Sequence, residues 1–228
     1  MSRWFFYITY MASYLGARRW RFTLLAVVGA GAIGWARWKG WIPDAEVRPH
    51  LSPPATTGSK SAKPVIWSEW RDCTLVENRA NDGDSFLVRH DGVEHTVRLY
   101  FADSPEKYRN QYNQKRLAEQ GRYFGGLTED ETIQIGEAAR DFSLERLRLA
   151  PFRILTRNEK VFDSGRIYAF VAVAEGDLAE LLVGHGLARI YTKGENRPGG
   201  PASLSEKQHL LGMERRAREA RTGGWRTR

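Results

Sequence analysis

The chain has 228 residues, of which 42% are hydrophobic and 12% aromatic, enough for one packed domain plus additional segments. Its single cysteine, Cys73, excludes an intrachain disulfide. The formal net charge of +8 does not mark the globular part as a nucleic-acid binder. Residues 1–64 carry nine Lys/Arg against two Asp/Glu (+7), and residues 65–228 carry 26 against 25 (+1).

Residues 1–42 are not globular in pattern. Phe22 to Ala36 runs without a charge, flanked by Arg18, Arg19 and Arg21 on one side and Arg37 and Lys39 on the other, with Trp20, Trp35, Trp38 and Trp41 at the margins. Aromatic margins and basic flanks suit a membrane anchor, although the uncharged run is shorter than the ~20 residues of a full span. Three alternatives stand: a retained single-pass anchor, a cleaved signal peptide with Ala30-Gly31-Ala32 as its small-residue site, and a buried helix. Residues 43–64 hold five prolines among Ser, Thr, Gly and Lys, the composition of an extended, disordered linker.

From residue 65 the pattern is globular. Cys73 to Asn78 and Ser85 to His90 read as strands, joined by a turn at 81–84. Asp91-Gly92 marks a hairpin, and Val93 to Phe101 resumes alternation. Residues 107–134 are polar and read as a loop with one short helix. Glu137 to Leu149 has helical spacing; Phe152 to Thr156 and Arg166 to Ala174 are strands. A helix starts at Asp177 and stops at Gly186. Leu187 to Tyr191 is a short strand, and Ser205 with Gln208 caps a last helix running to about Arg221.

Three stretches concentrate acids and arginines: Asp82-Gly83-Asp84-Ser85, Arg98 to Glu106 with Asp103-Ser104-Pro105-Glu106 at its end, and Asp163-Ser164-Gly165-Arg166. Carboxylates hold hard divalent cations through oxygen, a positioned carboxylate can activate water, and arginines grip phosphate through charge-assisted forks. Each stretch has an ordinary alternative. Asp and Gly are turn residues, and Arg98, in an apolar strand, could simply pair with Asp84 or Asp103. The five histidines form no zinc spacing, and no Gly-rich phosphate loop or GxSxG elbow is present.

Taken in order, these residues resemble the staphylococcal nuclease (thermonuclease-like) family, whose pattern is an Asp-Gly-Asp-Thr-like turn, an Arg followed by Asp-Thr-Pro-Glu, and a later Gly-Arg. The likeness extends through Gly136-Glu137-Ala138-Ala139 and Leu181 to Arg189, and ends at Trp225. The resemblance, over roughly residues 70–226, implies an α+β fold: a five-stranded OB-type β-barrel with about three packed helices in the 65–228 domain, which the N-terminal hydrophobic helix and the disordered linker precede. It also implies calcium-dependent hydrolysis of DNA and RNA. In that reading Asp84, Asp103 and the Ser104 carbonyl bind Ca2+, Glu106 serves as general base or water-positioning group, and Arg98 and Arg166 hold the scissile phosphate. Asp163-Ser164 departs from the family pattern before Gly-Arg, and residues 107–134 are longer than the family loop. A non-catalytic OB-fold module binding nucleic acid or protein is the alternative. Either way the expected setting is a membrane-anchored domain outside the cytoplasm, or an exported protein.

Overall fold

The computed structural model describes residues 66–226. The segment read as an anchor (1–42) and the whole of the linker (43–64) lie outside the described residues. Among those described, no helix is long and apolar enough to cross a membrane.

Five strands close into a barrel. β1 (Ser68–Leu75) runs antiparallel to β2 (Ser85–His90), and β2 to β3 (Val93–Leu99) in unbroken register from Ser85↔Arg98 to His90↔Val93. Asp91 and Gly92 both take positive φ (48° and 77°), as a two-residue turn matched to strand twist requires. A two-residue strand β4 (Ala102–Asp103) follows, then helices α1 (Gln114–Tyr123) and α2 (Glu129–Leu149). β5 (Phe152–Lys160) pairs antiparallel with β1 and with β6 (Ile167–Val173). β6 then lies parallel to β3, with Arg98 opposite Tyr168, and shuts the barrel. The circuit β1-β2-β3-β6-β5 is OB-type. β7 (Gly176–Asp177) adds a short edge to β6. After α3 (Leu178–Gly184), β8 (Arg189–Ile190) pairs with β4, setting Arg189 opposite Asp103. α4 (Ser203–Glu219) and a single 3-10 turn (Gly223–Trp225) complete the described chain.

The barrel is filled by inward residues of each strand, among them Phe86, Val88, Val97, Leu99, Phe152, Ile154 and Val171. α2 packs Ile135, Ala139, Leu144 and Leu147 against them, and α3 adds Leu178 and Leu182. A second, smaller cluster joins Phe124, Ala217 and Trp225; Phe124 and Trp225 have ring centroids 4.8 Å apart. This cluster ties the chain's last turn to the end of α1.

Several expected boundaries move. Among the described residues four helices form rather than about three. The region 107–134, expected to be mostly loop, contains all of α1 and the first turns of α2. α2 starts at Glu129 rather than Glu137, because Thr128 and Glu131 form a reciprocal capping box and Glu129, Asp130 and Glu131 sit in the first turn, where the helix dipole favours anions. Its apolar stripe there is thin (Thr132, Ile135, Gly136), so periodicity misses it. β1 begins five residues before Cys73. α4 begins at Ser203, after Ala202 with no side-chain cap, so Ser205 and Gln208 do not form its cap. Asp177 does cap α3, its carboxylate accepting from the amides of Ala179 and Glu180.

Candidate active site

The acid-rich segments meet at one end of β3. The turn before β2 carries Asp84, whose backbone carbonyl accepts from the Leu99 amide. The turn is pinned to α2, since Ser143 Oγ donates to the Gly83 carbonyl at 2.7 Å. Gly83 leaves no room for a side chain: a Cβ there would lie 2.8 Å from both Ala139 Cβ and Ser104 Oγ. Beyond β3 the chain kinks at Phe101, a buried residue held at φ 64°. Such a conformation is costly for a bulky side chain. The kink turns β4 so that Asp103 faces back toward Asp84.

Arg98 joins the two acids. Its Nη2 donates to Asp84 Oδ2 at 3.1 Å and to Asp103 Oδ1 at 2.6 Å. The ordinary alternative for Arg98 is therefore present, with both acids at once. Because both bonds use one nitrogen, the rest of the guanidinium remains for another anion. The Ser104 amide donates to Asp84 Oδ2 at 2.9 Å.

Asp103 is the most heavily paired group in the site. Besides Arg98, its Oδ1 accepts from Arg116 Nη2 at 2.6 Å. Its Oδ2 accepts from Arg189 Nε at 2.7 Å and Gln120 Nε2 at 3.2 Å. Burial would raise its carboxyl, but Arg116, Arg98 and Arg189 together hold it below the usual carboxylate range. Gln120 also donates to the Ser104 carbonyl at 3.0 Å and accepts from the Glu106 amide at 3.1 Å, so this buried α1 residue braces the whole Asp103–Glu106 segment. Glu106 is only partly buried. Its Oε1 lies 3.1 Å from Arg116 Nε, and Asn113 Nδ2 donates weakly to its Oε2 at 3.4 Å. Arg166 stands at the rim, its Nε donating to Ser164 Oγ at 3.1 Å. Burial and then the field of Arg98 lower its pKa.

The neighbouring turn behaves oppositely to Asp103. Burial and then repulsion from Asp84 push the Asp82 carboxyl up to about 7. Burial, with Asp103 opposing the relief given by Arg98, pushes Asp84 up to about 6. Negative charge is thus in surplus at Asp82–Asp84 and compensated at Asp103.

Sequence reasoning brought Asp84, Arg98, Asp103, Ser104, Glu106 and Arg166 to this place and missed Arg116, Gln120, Arg189 and the titration of Asp82. Arg189 had the same signal as Arg98, a charge inside the apolar run Leu187-Ala188-Arg189-Ile190. Arg116 and Gln120 had none, lying in a polar helix where such residues are usually solvated.

Two clefts of about 330 and 290 Å³ lie elsewhere, one lined by Glu69, Phe170 and Arg197 among others, the second between α3 and α4. Neither includes any of the acids above; Asp84, Arg98, Asp103 and Ser104 are buried, and Glu106, Arg116 and Arg166 are the partly exposed members of the candidate site.

The parts assembled here are an OB-type barrel with acids and arginines converging beside one end of β3. The model of the family described as Staphylococcal nuclease homologue matches residues 96–227, more than half of the chain, and the chain belongs to that family. No curated protein matches it. The match begins after the Asp82–Ser85 turn, which is bound to the matched region by the contacts of Asp84 to Arg98 and Ser104.

The donor set can be weighed against a divalent cation. Among the described residues no three of His, Cys, Asp and Glu are grouped to hold a metal ion by themselves, so backbone, hydroxyl or water oxygens would have to complete any coordination shell. Those oxygens are at hand. Ser104 Oγ is buried without a hydrogen-bond partner among the described residues, and the raised carboxyls of Asp82 and Asp84 mark a place short of positive charge. An oxygen-only set of this kind fits a hard cation, with Asp103 joining it already engaged by arginines.

Proposed function

We propose that the chain is a calcium-dependent phosphodiesterase that hydrolyses DNA or RNA. The observation supporting this most directly is the convergence of Asp84, Arg98, Asp103 and Glu106 from separate segments beside β3, in a family of nuclease type typically dependent on calcium. Asp84, Asp103 and Ser104 would hold the cation, with Asp82 adding negative charge beside them. Bound there, calcium would polarise a phosphoryl oxygen and offset developing charge. Glu106, partly exposed and oriented by Arg116 and Asn113, is the group for activating or positioning water. Arg98, through the part of its guanidinium not used by the acids, and Arg166 at the rim would grip the phosphate as charge builds in the transition state.

Digestion of plasmid DNA and of RNA, with calcium and with chelator, tests this. Cleavage that requires calcium, and falls by about 10²-fold or more in Glu106→Gln and Arg166→Ala, is the expected result. Equal cleavage in chelator, or full activity in both variants, ends the proposal. One observation favours the non-catalytic reading: the three arginines that neutralise Asp103. Salt-dependent oligonucleotide binding without turnover would support it.

The sequence of residues 1–42 supports an N-terminal anchor or export signal and a domain outside the cytoplasm, where weak calcium sites are useful. A C-terminal reporter fusion active only in the cytoplasm would overturn that.

A further inference from the structure

The segment 107–134 places an arginine between two of the acids assigned to the chemistry. From α1, Arg116 spans them with two different nitrogens: Nη2 on Asp103 Oδ1 at 2.6 Å and Nε toward Glu106 Oε1 at 3.1 Å. The three arginines on Asp103 are not equivalent. The side chains of Arg98 and Arg189 are 7% and 5% exposed, that of Arg116 39%. Releasing Arg98 or Arg189 would strand a buried charge, whereas Arg116 can return to water. Asp103 would keep its orientation without Arg116, through Arg98, Arg189 and Gln120. α1 would keep its place through buried Leu117 and Gln120.

We propose that Arg116 and a divalent cation are alternative partners for Asp103 Oδ1, with Glu106 Oε1 left free for water when Arg116 departs, so that α1 sets the cation affinity of the site. Arg116 is a positioning residue in this account. It orients Glu106 and Asp103, and it turns outward when the cation takes Asp103 Oδ1. The inference rests on the calcium-dependent reading above.

The test is calorimetric titration of the full chain with calcium chloride, beside calcium-induced thermal shifts. Arg116→Met is expected to bind calcium about 10-fold more tightly than wild type, a difference of ~1.4 kcal/mol. Lys115→Gln removes a charge one residue away on a side chain that is 91% exposed, and should change affinity by less than about 2-fold because exposed charges are screened. Arg116→Lys keeps the charge but not the two-pronged reach. Its affinity is expected between those of wild type and Arg116→Met, and it carries the test if the methionine variant does not fold. Arg116 variants that bind no more tightly than wild type overturn the proposal, as does Lys115→Gln matching their gain. Calcium binding by wild type with no change in the variants sinks this inference alone. No binding by any of them sinks both it and the calcium-dependent reading. Binding by Arg116→Met but not by wild type supports the inference.

Discussion

Replacing Gly136 by alanine tests whether helix packing positions the catalytic segment. Gly136 lies inside α2, where alanine ordinarily gains about 0.8–1 kcal/mol. Here the added Cβ would sit 2.4 Å from the Glu106 carbonyl oxygen and 2.6 Å from that of Pro105, whereas ordinary contact begins near 3.4 Å. The opposing atoms are backbone, so relief requires α2 and the Pro105–Glu106 segment to separate by about 1 Å, a displacement that can cost ~10²-fold in rate. Overpacking of this kind costs about 1–3 kcal/mol; less the helix gain, a net destabilisation of about 1 kcal/mol is expected. Gly212→Ala in α4 is the control, because its Cβ meets only Arg216 Nη1 at 3.7 Å, and it should stabilise by up to about 1 kcal/mol. Urea unfolding and calcium-dependent hydrolysis rates read both. A Gly136→Ala protein as active as wild type and stabilised like Gly212→Ala would refute the reasoning.

Three further outcomes are expected. Because the folded-state carboxyls of Asp82 and Asp84 are raised to about 7 and 6, their contribution to stability is fully present below about pH 4 and is lost as pH rises toward 7. In chelator, unfolding free energy should therefore fall over that window, and Asp82→Asn should flatten the slope and add about 1–2 kcal/mol at pH 8; parallel profiles for the two proteins would contradict this. Cys73 is fully buried and its thiol is pushed up to about 11, chiefly by burial. A disulfide-exchange reagent at pH 8 should label it only after denaturant is added, and rapid labelling of the native protein would count against the core described here. Thr128→Ala removes the side-chain half of the α2 capping box and should cost about 1 kcal/mol in urea melts; an unchanged midpoint would show that the cap contributes nothing.

The barrel was readable because β5 alternates inward and outward residues over Phe152–Thr156 and the β2–β3 hairpin uses Asp91-Gly92, so local chemistry and global closure agree there. Asp84, Arg98, Asp103 and Glu106 were readable because their segments carry an ordered motif. What escaped was supplied from a distance. Arg189 reaches Asp103 through the β4–β8 pairing, a contact 86 positions apart, which no local pattern announces. α1 was expected only as one short helix without bounds, because it buries only Leu117, Gln120 and Gly121, too few apolar positions for a periodic stripe. Its two functional side chains are polar residues whose burial depends on the partner they meet. The raised titration of Asp82 likewise comes from crowding of acids in space, which composition cannot register.

The packing of Trp225 on Phe124 makes the seat of α1 depend on a residue far along the sequence from it. The residues proposed for the chemistry lie at or before Arg166, and Arg189 follows soon after, but α1 is buttressed at its far end by that indole. Truncation before Trp225 would leave every one of those side chains in place along the sequence while removing an apolar support of the helix that bears Arg116 and Gln120.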